Sequence, residues 1–147
     1  IVAATGSLQN PEQVLTPTQQ ERLAQAQQET KKPIFVVTPE EAKAAEKGRP
    51  NGKKTWLFQA ENVRDFAFAS SRKFVWDAMA VADTKVNGKP VMAMSLYPKE
   101  GMPLWDKYST HAIAHTIVTK GYISSLTFTP KPTHPTLQPF RHVGKDQ

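Results

Sequence analysis

The chain has 147 residues, 39% of them hydrophobic, with 19 Lys or Arg against 13 Asp or Glu for a formal charge of +6. This is one domain's worth of sequence or parts of two. The absence of cysteine excludes disulfides and thiolate metal sites, and apolar runs of only a few residues exclude a membrane-spanning helix. The positive charges are dispersed as Lys31-Lys32, Lys53-Lys54, Arg72-Lys73 and single residues. With no block of like charge and no basic helix face, the excess reads as a solvated basic surface; a small basic binding module for an anionic partner is the alternative.

In chain order, Ile1 to Thr5 reads as the end of a strand that turns at Gly6, and Pro11 stops regular structure. Two helix starts share one grammar: Thr16-Pro17-Thr18-Gln19 and Thr38-Pro39-Glu40-Glu41. Each supplies a capping Thr, Pro at the first helical position and Gln or Glu three residues after the cap, so that both side chains satisfy orphan amides. These helices are expected to reach about Glu29 and about Glu46. Leu23 is the one large apolar residue between Gln19 and Glu29, so the polar stretch reads as an inserted connector outside the core. Between the helices Ile34 to Val37 reads as a strand, and Arg49-Pro50-Asn51-Gly52 as a turn.

The apolar part begins near Lys53. Trp56, Phe58 and Ala60 alternate with Leu57, Gln59 and Glu61, the period of a half-buried strand. Val63, Phe66 and Phe68 continue it, Phe74 to Trp76 forms a third apolar run, and Val91 to Tyr97 a fourth. Val86-Asn87-Gly88-Lys89 predicts a hairpin, and connections this short require antiparallel pairing. Trp56, Phe58, Phe66, Phe68 and Trp76 are assigned to the core. Pro98 and Gly101 close the sheet; a helix is predicted from Pro103 to about Thr119, ended by Gly121, with a last short strand over 126–129. Pro130, Pro132, Pro135 and Pro139 make the tail irregular. Ile1 to Gly6 lacks the basic and apolar regions of a signal peptide, and a chain that opens inside a strand-like run reads as a segment of something longer.

His111 and His115, four residues apart on the last predicted helix, stand at a spacing that lets two imidazoles reach one zinc ion. In peptidase zinc helices a Glu follows the first His to take the proton of the metal-bound water. Here that position is Ala112, and nothing in the spacing fixes a third ligand from His134, His142 or a distant carboxylate. The pair is therefore read as helix-surface histidines, not as a metal site. Arg64 and Asp65, adjacent on an expected strand, should point to opposite faces and each bond elsewhere. No phosphate-binding glycine loop or Gly-x-Ser-x-Gly elbow is present, and no catalytic or substrate-binding residue is assigned.

Three stretches together resemble aminopeptidase N-like zinc peptidases. The most specific is Trp56-Leu57-Phe58-Gln59-Ala60 running into Asn62-Val63-Arg64-Asp65-Phe66-Ala67, which is similar to the end of the N-terminal β domain in bacterial members. Ile1 to Asn10 resembles a late strand of that domain. Val91 to Pro98, with the helix carrying Trp105 and Tyr108, resembles the opening strand and helix of the thermolysin-like catalytic domain. The resemblance implies an α+β fold: mostly antiparallel, the end of a saddle-like β domain, with two short inserted helices and one longer helix after the last main strand. It divides the chain into residues 1–88, with a helical insertion at about 16–47, then 89–129, then a Pro-rich tail over 130–147.

The same resemblance implies a parent enzyme that hydrolyses N-terminal peptide bonds with zinc, often an exported one. The family's Gly-x-Met-Glu strand, its His-Glu-x-x-His helix and its distal Glu and Tyr do not occur among these residues. The chain departs from the family pattern at 129–135, where Thr-Pro-Lys-Pro-Thr-His-Pro stands in place of an expected Tyr-Pro-Tyr-Pro-like run. The expectation is a scaffold that packs against the rest of the catalytic domain and carries no zinc itself, with neither nucleic acid nor a membrane span as partner.

Overall fold

The computed structural model describes residues 1–48, 52–61, 63–86 and 88–127. The fold is α+β, and every ladder among the described residues is antiparallel. Two small ribbons pair β1 (Val2–Ala4) with β5 (Phe68–Ser70), and β2 (Ser7–Leu8) with β4 (Phe58–Gln59). The main sheet has the order β3-β6-β7, from Ile34–Val37, Phe74–Val86 and Lys89–Pro98. Around it lie α1 (Pro11–Val14), α2 (Pro17–Ala26), α3 (Pro39–Lys47) and α4 (Leu104–Thr127), with one 3₁₀ turn at Lys99–Gly101. Among the described residues no helix is long and apolar enough to cross a membrane.

Alternation along β6 and β7 gives the sheet two different faces. Val75 lies opposite Tyr97, Asp77 opposite Ser95 and Met79 opposite Ala93; between them Trp76 pairs with Leu96, Ala78 with Met94 and Ala80 with Met92. The Trp76–Ala78 face packs on Val14, Leu15, Ala26, Val36 and Val37. The other face receives Ala42 of α3 against Val75 and Tyr97, then Ala114 and Ile117 of α4 against Met79, Val81 and Ala93. The ladder slips between Ala80 and Lys85, and β6 continues to the turn at Gly88 (φ 77°). This turn contains the 88/89 junction expected as a domain boundary, and the strands on either side of it are paired arms of one hairpin. Asn87, the other half of the expected turn, lies outside the described residues, as do Arg49, Pro50 and Asn51.

Both capping boxes form. Thr16 and Gln19 exchange backbone and side-chain hydrogen bonds, and so do Thr38 and Glu41. Glu41 also accepts from Arg22 at 2.8 Å, which joins α2 to α3 across β3. The expectation that this region lies outside the core is corrected. Ala26 and Val36 are fully buried, and β3 is a paired strand of the main sheet. Alanine, read as helix propensity alone, here permits close approach of α2 to the strands. α2 also ends earlier than expected, at Ala26. The Glu29 carboxylate accepts from the Lys31 N–H at 2.8 Å, and its carbonyl accepts from the Ala80 N–H at 2.8 Å, which draws the chain out of the helix and onto β6.

Three further expectations are corrected. Phe66 and Phe68, assigned to the core, are 62% and 72% exposed; the β1–β5 ribbon has only two strands, and all of β5 is exposed. Trp56 and Phe58 are half-buried and stacked at 6.4 Å, and Trp76 is buried as expected. Gly121 does not end the last helix. α4 runs through it to Thr127, so Leu126 is helical and not in a strand; one glycine costs about 1 kcal/mol in a helix interior, and the next proline is Pro130. The remainder of the expected 126–129 strand and the Pro-rich tail lie outside the described residues. A short helix, α1, was not anticipated. Asn10 anchors it by donating to Gln13 Oε1 (3.0 Å) and the Thr55 carbonyl (2.8 Å), while its own Oδ1 accepts from the Leu57 N–H (3.0 Å).

Gly6 connects the two ribbons with φ 104°, and a Cβ there would collide with the Gln59 carbonyl. Gly6→Ala should therefore lower the free energy of unfolding by about 1–3 kcal/mol. Gly48→Ala, where a Cβ meets nothing, should change it by less than about 0.5 kcal/mol. Urea titration of the two variants checks this.

Candidate functional site

The polar group placed deepest in the sheet is Asp77, which interrupts the apolar run Val75-Trp76-Asp77-Ala78-Met79 and is 1% exposed. Strand alternation turns it toward α4. Tyr97 Oη donates to Asp77 Oδ2 at 2.6 Å, and Thr110 Oγ1 donates to Oδ1. Tyr97 lies two residues along β7 from Ser95, the cross-strand partner of Asp77. Thr110 sits one helical turn after Asp106 on α4, so both point to the same side. The three elements thus meet at one carboxyl group. Trp105 closes the end of the cluster with its ring edge-on to Tyr97, 6.0 Å between centroids and 74° between planes.

Burial pushes the Asp77 carboxyl above the usual carboxylate range, and the nearby Asp106 charge adds to the effect; the hydroxyls of Thr110 and Tyr97 and the charge of His111 oppose it. Burial pushes the Tyr97 phenol above its ordinary range as well, reinforced by its hydrogen bond to Asp77. Two buried polar atoms beside the cluster, Ser95 Oγ and Asp106 Oδ1, lack a hydrogen-bond partner. The arrangement can fix α4 on the hairpin and hold or release a proton.

The residues singled out from the sequence are not brought together. His111 and His115 are both exposed on α4, and the polar contact of His115 is Thr119 Oγ1, 3.4 Å from Nδ1. No group of three or more His, Asp or Glu side chains suited to a metal ion occurs among the described residues. His134 and His142 lie outside those residues. Arg64 and Asp65 differ from expectation. They face each other with Nε 3.9 Å from Oδ2, both almost fully exposed, because 63–67 is not a strand and adjacent side chains need not diverge. An open depression of ≈ 300 Å³ near the hairpin turn is lined, among the described residues, by Gln27, Thr30, Ala80, Val81, Thr84, Gly88 and Pro90.

Sequence reasoning missed Asp77, Tyr97 and Thr110. The available signal was a carboxylate inside a five-residue apolar run, since an ionisable residue there must find partners. The chain matches no protein-family model, no curated protein and no solved structure.

Tyr97→Phe and Thr110→Val each remove a donor and leave a buried carboxylate oxygen unpaired. Each should lower the free energy of unfolding by about 1–3 kcal/mol. Thr116→Val, which removes only an exposed bond to the Ala112 carbonyl, should stay within about 0.5 kcal/mol. Chemical denaturation of the three variants gives the comparison.

Proposed function

We propose that this chain is a non-catalytic scaffold segment of an aminopeptidase N-like zinc peptidase, and that it sits where the N-terminal β domain meets the catalytic domain. The observation that carries the reading is the run 55–71, an aromatic strand leading into Asn62-Val63-Arg64-Asp65-Phe66-Ala67, followed in the family's order by the Val91–Pro98 strand and the Trp105–Tyr108 helix. The surface supports the same role. Leu57, Val63, Phe66 and Phe68 are exposed, and so are Leu104, Trp105, Tyr108, Ile113 and Val118 on α4. Exposed groups of this kind favour packing against a larger body. The partner in this reading is the remainder of the catalytic domain, which also supplies the zinc, the activating Glu and the grip on the peptide's amino terminus. In that enzyme zinc, held by residues other than these, would supply Lewis-acid activation of the scissile carbonyl; these residues would contribute framework to the cavity wall.

The test is an assay of the 147-residue chain on amino-acid anilides, with and without added zinc. The expected result is no turnover in either condition, unchanged in His111→Ala/His115→Ala. Robust metal-dependent hydrolysis that is lost in the double variant would overturn the proposal.

A further inference from the structure

We infer that docking of α4 on the β6–β7 hairpin is proton-linked, with the Asp77 carboxyl as the group that takes up the proton when the helix closes. The geometry sets this up from three sides. The two side chains bonded to Asp77, Tyr97 from β7 and Thr110 from α4, are neutral hydroxyls. No Lys or Arg side chain bonds it among the described residues. α3 and β3, packed below, present Ala42 and Phe35 to this layer, both apolar. The following 3₁₀ turn directs Lys99 away to Glu46, at 2.5 Å.

The ionisable groups that act on Asp77 are Asp106 and His111, both carried by α4 itself, together with the Tyr97 phenol. Closing α4 therefore brings a like charge toward a carboxylate while removing water from it. Asp106 Oδ1 and the Ser95 hydroxyl are already buried there without partners. Closure then takes one proton from solvent onto the Asp77 carboxyl, and opening returns it.

The sign follows from the raised affinity of the closed state for a proton. Docking is strongest below the ordinary carboxylate range and weakens as pH rises through the higher closed-state value. Lids and helices that move are drawn from the parts of a fold that open locally, and amide exchange reads such opening directly. The experiment is hydrogen exchange of amides 104–119 in the full chain between pH 4.5 and 7.5, corrected for intrinsic exchange and referenced to the β3–β6 amides. Protection of α4 should fall with rising pH by several-fold in total, and by no more than about tenfold per pH unit, the limit for one proton. Asp77→Asn should flatten the profile. Asp106→Asn, which leaves Asp77 in place, should move its midpoint to lower pH. A flat wild-type profile, or a midpoint unmoved in Asp106→Asn, would overturn the inference, as would an unchanged slope in a folded Asp77→Asn.

Discussion

Removing a carboxyl group from water costs several kcal/mol unless hydrogen bonds replace the lost solvent. The β6–β7 hairpin places one, Asp77, at the centre of its α4-side face. The hydroxyls of Tyr97 and Thr110 are its replacement for water, and they come from two other elements. That requirement limits how the helix can lie. Thr110 must reach Asp77, which places Ala114 and Ile117, one and two turns further on, over Met79, Val81 and Ala93. It also sets Trp105, more than one turn earlier, against the Tyr97 ring. Apolar burial drives the association, but the carboxyl selects its register. A slip of one residue along β6 would turn Asp77 to the opposite face and leave it against Val14, Leu15 and Ala26.

The other face of the sheet follows a different rule. There the contacts are apolar, and small residues set the spacing: Ala26 and Ala78 are fully buried between Val36 and Trp76. α2 and α3 are held relative to each other by the Arg22–Glu41 ion pair, half-exposed and so a modest contributor to stability. Glu41 spends the same oxygen on the Thr38 N–H, so a single carboxylate caps α3 and links it to α2. The two ribbons at the edge depend on backbone pairing and on Gly6, and Phe68 on β5 is exposed.

Local signals in the sequence were reliable where the physics is local. Both Thr-Pro-x-Gln/Glu caps, the strand at Ile34–Val37 and the antiparallel hairpin closing near Gly88 follow from side-chain chemistry within a few residues. The errors arose where partners were distant. Nothing near Ala26 announces that β6 lies beside it, and nothing in the alternation of Phe66 and Phe68 reveals that β5 would have one neighbour and no covering layer. Gly121 carries a stop signal that the surrounding helix overrides. Asp77 is the instructive case. Its position among apolar residues signals a constraint, but Tyr97 and Thr110 are 20 and 33 residues away, and only the fold selects them.

The proposed scaffold role and the latch at Asp77 meet in α4, which is fixed by a buried carboxyl and carries exposed apolar side chains such as Leu104, Tyr108 and Val118. If the helix transmits contact from a larger body to the hairpin, Asp77 and Thr110 must be energetically coupled and not merely adjacent. A double-mutant cycle of Asp77→Asn and Thr110→Val, measured by urea unfolding, addresses this directly. The account predicts a coupling of about 1 kcal/mol or more between the two positions. Additive effects, with coupling near zero, would contradict it.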